Sequence, residues 1–262
     1  MTDIKITHIG GPTVLLDIDG WRLLTDPTFD PPGHRYRFGW GTSSHKLHGP
    51  AVPIDDIGPV DAVLLSHDHH GDNLDHLGRE LLPRAATVLT TQAGARRLGG
   101  NAHGLATWQT HQLARADRAP IEVTATPARH GPPLSRVLAG DVTGFVLTWH
   151  GQDGALWITG DTVLYAGVRA VPKRLRIGTM IMHLGCVRFP ITGPLRYTMD
   201  AAAAIELCRT TTAHTVIPVH HDGWQHLRQP AKEVTAAFSA APPPVRQSLK
   251  WLTPGAPTIV AT

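Results

Sequence analysis

The segment Ser66-His67-Asp68-His69-His70-Gly71-Asp72-Asn73 places three histidines and two aspartates within seven residues, directly after the largely apolar run Val60 to Leu65. Ligand-type side chains this dense at the end of a buried strand point to a metal. Imidazole and carboxylate together favour zinc, and the carboxylates also admit manganese or iron. One or two such ions imply hydrolysis, because a divalent ion lowers the pKa of bound water to about 7 and polarises the oxygen under attack.

The rest of the chain must bring further ligands to that segment, and the element pattern supplies a way. Residues 4–9, 13–18 and 21–25 read as strands, the last two joined by the Asp19-Gly20 turn. Further strands are expected over 60–66, 87–90, 121–125, 143–149, 155–159, 179–184, 215–219 and 249–252. Helices are expected over 74–82, 92–98, 199–209 behind Thr198 as cap, and 234–240. Several strands run into polar turns: His67 to Asp72, His130, Gly160-Asp161 and His220-His221-Asp222. An α/β sheet gathers such strand-end loops at one edge. Residues 27–53, rich in Pro, Gly and aromatics, read as a long irregular loop whose His34, Tyr36 and Trp40 could cover a substrate.

Bulk properties narrow the class. With 262 residues, 42% hydrophobic and 17% charged, the chain is expected to form one globular domain spanning 1–262. The net charge of +3 comes without a Lys/Arg block, so nucleic acid is not indicated and a small anionic substrate suits the sign. Homo-oligomerisation is left open. Two cysteines, Cys186 and Cys208, form no CxxC pattern and imply a reducing compartment. The start Met1-Thr2-Asp3-Ile4-Lys5 carries no apolar signal core and no window reaches the length of a membrane span, so a cytoplasmic protein is expected.

Five segments in order resemble the metallo-β-lactamase superfamily: Thr25-Asp26-Pro27, Leu65-Ser66-His67, Ala128-Arg129-His130, Thr159-Gly160-Asp161-Thr162 and Ile217-Pro218-Val219-His220. Within it they look most like the branch containing L-ascorbate-6-phosphate lactonase and the N-acyl-phosphatidylethanolamine phospholipase D type. The resemblance implies a four-layer αββα sandwich with a dimetal site at one edge. It implies that His67, His69 and His130 hold a first metal, that Asp72 and His220 hold a second, and that Asp161 bridges them. Asp26 would orient a ligand histidine through its other ring nitrogen. The family motif His-x-His-x-Asp-His is not kept intact. Either one residue is inserted after His69, or His70 replaces His69 as ligand; in both, Asn73 stands where a second-metal histidine is usual, and Asn is a weak transition-metal ligand.

The implied function is a metal-dependent hydrolase in which metal-activated water attacks a lactone, ester or phosphodiester. Asp72 would orient that water or take its proton, and His183 and Arg188 are candidate outer catalytic residues. The alternatives are a β-lactam hydrolase and a non-catalytic metal-binding member of the fold. His221 points away from its neighbour His220 on a strand and is the weaker ligand candidate. Trp224 and His226 read equally as pocket lining or as packing.

Overall fold

Alternation along the strands sorts the apolar residues into layers. In chain order the strands are β1 (Asp3–Gly10), β2 (Thr13–Ile18), β3 (Trp21–Thr25), β4 (Arg35–Gly39), β5 (Thr42–His45), β6 (Ala62–Leu64), β7 (Thr87–Thr91), β8 (Ala102–Leu105), β9 (Thr110–Arg115), β10 (Arg118–Pro127), β11 (Thr143–Thr148), β12 (Ala155–Ile158), β13 (Ile177–His183), β14 (Thr215–Val219) and β15 (Thr258–Ala261). The helices are α1 (His76–Leu81), α2 (Gln92–Leu98), α3 (Arg136–Ala139), α4 (Ala166–Arg174), α5 (Ala201–Cys208), α6 (Ala231–Ser239) and α7 (Pro243–Ser248). The computed structural model describes residues 3–211 and 213–262, without the side chain of Leu138.

One sheet runs β15-β1-β2-β3-β6-β7-β8 and the other β14-β13-β12-β11-β10-β9. Ile4, Ile6, Leu64, Phe145, Ile158 and Ile217 point between the sheets and form one buried core. Their strand neighbours point the other way: Trp157, Met180, Met182 and Val216 pack with Val168, Leu207 and Phe238 of the helices, and Val63 and Leu65 pack with Leu81. Period-two patterning on both faces therefore produces helix, sheet, sheet, helix, the αββα order expected of the sequence. Among the described residues no helix is long and apolar enough to cross a membrane. Both cysteines are free and buried.

The structure departs from the sequence reading in several places. The segment 27–53 is not structureless: β4 and β5 pair as an antiparallel hairpin inside it. Residues 249–252 make only an isolated bridge, Leu249 to Val216, and the terminal strand is β15, antiparallel to β1. The prolines at 242–244 open α7 rather than merely breaking the chain, because Pro is compatible with a helix's first turn. Asp200, not Thr198, caps α5 by accepting from Ala203 N; the Thr198 hydroxyl is already held by Val187 N and the Leu184 carbonyl. Asp75, not Asp72, caps α1 by accepting from Gly78 N at 2.9 Å.

Asp75 also ties the hairpin segment to the metal-motif side of the molecule. Its Oδ2 accepts from Lys46 Nζ at 2.8 Å and from Asp30 N at 2.6 Å, all three residues being buried. Asp30 in turn accepts from the Tyr36 hydroxyl, from His76 Nδ1 at 2.7 Å and from Leu77 N at 2.9 Å. Burial alone would raise the Asp30 carboxyl, but the Tyr36, Leu77 and His76 hydrogen bonds outweigh it and lower it to about 2. A carboxyl depressed in the folded state contributes stability above its unfolded value of about 3.9 and loses it as pH falls through the folded value. Asp30→Asn should therefore cost about 2 kcal/mol at pH 6 and much less near pH 2.5. Urea denaturation of both proteins at the two pH values checks this; an equal difference at both would contradict the assignment.

Candidate metal centre

The carboxyl ends of strands from both sheets meet at one edge. Asp26 follows β3, His67 to Asp72 follow β6, His130 follows β10, Asp161 follows β12, His183 ends β13 and His220 follows β14. Two of these positions carry positive φ on residues other than glycine: Asp26 at 32° and His220 at 54°. Such backbone costs about 1–2 kcal/mol per residue and persists where the surroundings over-determine it. Gly160, at φ 62°, lets the β12 turn pass the Thr143 carbonyl, which an added Cβ would meet at 2.4 Å.

Three sets of ligand-type atoms converge, each within 4.8 Å of one another: His67, His69 and His70; His67, His130 and Asp161; Asp72, His220 and His226. His67 Nε2 faces His70 Nδ1 at 3.0 Å. The other nitrogen of His67 meets Ser66 Oγ at 2.9 Å, and His130 Nδ1 meets the Tyr197 carbonyl at 2.8 Å, leaving His130 Nε2 for the site. Asp72 Oδ2 lies 2.9 Å from His226 Nε2 and 3.3 Å from His220 Nε2, while His220 Nδ1 lies 3.2 Å from Asp161 Oδ1. Ligand atoms around a tetrahedral ion with bonds of about 2.0–2.1 Å sit roughly 3.3 Å apart.

Hydrogen bonds within the cluster do not satisfy it. Both oxygens of Asp161, Asp72 Oδ1, both ring nitrogens of His220, His226 Nδ1 and His69 Nδ1 are buried without a hydrogen-bond partner. Each such atom costs about 1–3 kcal/mol unless something else supplies a partner. A cation does so for lone pairs that face one another, and the donor set therefore fits a divalent transition ion.

All but one of the shifted protonation states suit a cation. Burial, and then the neighbouring histidines, hold His67 and His70 well below the usual imidazole range; burial also lowers His130. Burial would raise Asp72 and Asp161, but the histidines around them hold both below the usual carboxylate range. Burial would lower His220, yet Asp161 and Asp72 override it and push the ring up to about 10. Neutral imidazoles and ionised carboxylates are the forms that bind metals, so His67, His70, His130, Asp72 and Asp161 are already in the binding form, whereas His220 must give up a proton to an incoming cation.

The expected residues divide. His67, His70, Asp72, His130, Asp161 and His220 all enter the cluster. His69 stays within reach of His67 and His70 but turns its Nε2 to the Ala139 carbonyl at 2.5 Å. Asn73 stays outside, its amide donating to Ser66 Oγ at 3.4 Å. Asp26 orients no ligand: it accepts from Ser66 N at 2.6 Å and binds His183 Nε2 at 3.1 Å. His183 lies wholly buried beside His220 and does not reach the pocket. Arg188 offers its backbone N to the His226 carbonyl, and neither outer candidate lines the pocket. His221 turns away toward Trp251.

His226 is the residue that sequence reasoning undervalued. No strand precedes it and no motif contains it. Its ring is stacked on Phe189 with centroids 5.3 Å apart and meets Phe38 edge-on at 5.2 Å. The only signal was a histidine six residues beyond a ligand position. Trp224 packs instead on Tyr36 beneath the hairpin.

Above the cluster opens a pocket of about 490 Å³, including space continuous with solvent. His70, Asp72 and His130 form its floor; Phe38, Trp40, Phe189 and Tyr197 dominate its walls, with Ala139, Val187, Thr42 and Thr192. His34 is exposed and Tyr36 is buried away from it, so of the three loop residues expected over the substrate only Trp40 lines it. No Lys or Arg lines it among the described residues, and the anionic preference inferred from net charge has no counterpart there.

A sequence model of the family described as "Beta-lactamase superfamily domain" matches residues 21–221. A UPF0173 metal-dependent hydrolase of Methanosphaerula palustris is 28% identical over 235 residues, covering 87% of this chain and 88% of its own. Among solved structures, a possible metal-dependent hydrolase from Veillonella parvula superposes with a TM-score of 0.81 at 20% identity, covering 97% and 98% of the two chains. An isothiocyanate hydrolase from Delia radicum gut bacteria superposes at 0.79 and 20% identity, covering 98% and 100%. At such identity the superpositions carry the fold and not the substrate.

Gly71 lies between His70 and Asp72 in the motif segment, and the hairpin explains its type. A Cβ there would meet Tyr36 Cδ1 at 2.2 Å. Gly71→Ala should displace the Tyr36 ring and destabilise the protein by about 1–3 kcal/mol, the usual cost of overpacking. Chemical denaturation reads this; an unchanged midpoint would show that the loop yields freely.

Proposed function

The chain belongs to the metallo-β-lactamase superfamily and is a metal-dependent hydrolase; we propose that it cleaves a carboxylic ester or lactone. The observation that carries the reading is the cluster of buried imidazole and carboxylate atoms without hydrogen-bond partners, from which Asp72 lines an open pocket beside His70 and His130. In this reading His67, His70 and His130 would hold one ion, Asp72, His220 and His226 would hold a second, and Asp161 would serve as a further carboxylate ligand. His226 stands in for the histidine that Asn73 replaces in the motif, and His69 braces the loop through Ala139. Zinc suits the donor set best. Bound there, divalent ions supply Lewis acidity and acidify water.

The chain's own groups do the rest. Asp72 Oδ1 has no hydrogen-bond partner, and the residue lines the pocket, so it orients the attacking water and receives its proton. His220 and His226 keep the Asp72 carboxylate ionised for that task. Asp26 and His183 hold the floor from below. A phosphodiester is disfavoured because the walls offer no guanidinium or ammonium to meet its charge. The resemblance to the branch with L-ascorbate-6-phosphate lactonase is kept at the level of carbonyl chemistry.

His67→Ala and Asp161→Ala should each lose bound metal and at least about 100-fold in kcat. Metal analysis after dialysis separates the two positions of interest. Wild type should hold two ions, His226→Ala one, and Asn73→Ala two. Two ions in His226→Ala would remove it as a ligand. Metal-loaded wild type should hydrolyse neutral esters or lactones and not phosphodiesters; activity confined to phosphodiesters or β-lactams would overturn the substrate reading.

A further inference from the structure

The pocket floor and walls are chemically opposite, and this bears on what occupies them. The floor is His70, Asp72 and His130. Strand β4 alternates, sending Phe38 inward and Arg35 and Arg37 to solvent, so the hairpin delivers aromatic surface to the site and keeps its cations out. Across His130, Arg129 stacks on Tyr165 at 4.4 Å and Arg136 pairs with Asp141; both line a separate groove.

Trp40 is the second observation. It lines the pocket yet is 70% exposed, and it sits at the hairpin tip with φ 51°, between Gly39 at 83° and Gly41 at 73°. An indole held in left-handed backbone with most of its surface in water gains nothing from the fold that any small residue would not give. The tip is nonetheless braced: a Cβ on Gly41 would meet Ile191 Cδ1 at 3.3 Å, so the hairpin rests on the 190–192 turn that forms the facing wall.

We propose that the non-reacting part of the substrate is an uncharged aryl or alkyl group, seated against Phe38 and Phe189 and covered by Trp40, which sets specificity. This rests on the ester or lactone reading, because the carbonyl must reach the His70, Asp72 and His130 floor while the apolar part extends between the aromatic walls. An anionic tail of the same length would lose its hydration there and meet no cation. Trp40 acts by contact with that tail and not by touching the reacting atoms.

Two non-hydrolysable probes of equal length test it on the metal-loaded full chain: N-phenylbutanamide and N-phenylsuccinamate, which differ by a terminal carboxylate. Titration followed by NMR should give at least tenfold tighter binding of the neutral amide. Trp40→Ala should weaken that binding about five- to tenfold with metal content unchanged, and Trp40→Phe should recover most of it. Equal binding, preference for the succinamate, binding of neither, or indifference to Trp40→Ala would overturn the proposal. The hydrolytic reading fails separately: a wild-type enzyme that binds the amide with this preference but leaves phenyl butanoate intact has the pocket without the ester chemistry.

Discussion

A buried set of imidazoles and carboxylates whose lone pairs face one another is the constraint on which the rest of the structure depends. His220 stands between Asp161 and Asp72 at 3.2 and 3.3 Å, and His226 closes on the same Asp72 oxygen. Without a cation several of these atoms go unpaired, at a cost comparable to a large share of a domain's net stability. The surrounding fold therefore has to hold them together despite that cost. It does so with two sheets whose strand ends are fixed by a dry core, and with backbone at Asp26 and His220 in a conformation these residues seldom adopt.

The two sides of the site are then tied to each other by groups that do not line the pocket. Asp26 spans from Ser66 N, beside the histidine motif, to His183, beside His220, and so links the first sheet's loop to the second sheet's. Asp75 caps α1 and holds Lys46 and Asp30, which links the hairpin segment to the element that follows the motif. Buried carboxylates in such positions are costly unless every lone pair is used. Asp30 and Asp75 use theirs on hairpin and helix groups, whereas Asp72 and Asp161 do not. That difference sets the acids that brace the fold apart from the acids of the cluster.

Much of this was legible in the residues. Period-two patterning gave β1, β2, β3, β7 and the parallel strands feeding the site, and the ligand-rich turns at strand ends gave His67, His70, Asp72, His130, Asp161 and His220. What was not legible has specific causes. The β4–β5 hairpin has mixed polar and glycine-rich strands, Arg35 to Gly39 and Thr42 to His45, whose pairing depends on contact with the site rather than on local propensity. The half-exposed strands β8 and β9 carry little apolar alternation. His226 belongs to no strand end, so spacing could not reveal it. Asp26 and His183 exchange a hydrogen bond across 157 positions, which only the packed sheets bring together.

The placement of His226 joins features that the motif keeps apart. Its backbone N lies 3.3 Å from Ser44 Oγ on the hairpin, its carbonyl accepts from Arg188 N, and its ring is held between Phe38 and Phe189, which are also pocket walls. A ligand contributed by the motif itself would be positioned by β6 and α1 alone. A ligand contributed from here would be positioned by the aromatic surfaces that also wall the pocket. Order in the hairpin, geometry at Asp72 and shape of the pocket are thus one packing problem, and a change at Phe38 or Phe189, which hold the His226 ring, is felt at the floor. Gly71 belongs to the same solution: it clears the space for Tyr36, whose ring supports Trp224 and whose hydroxyl reaches Asp30, so that the hairpin can come down onto His226.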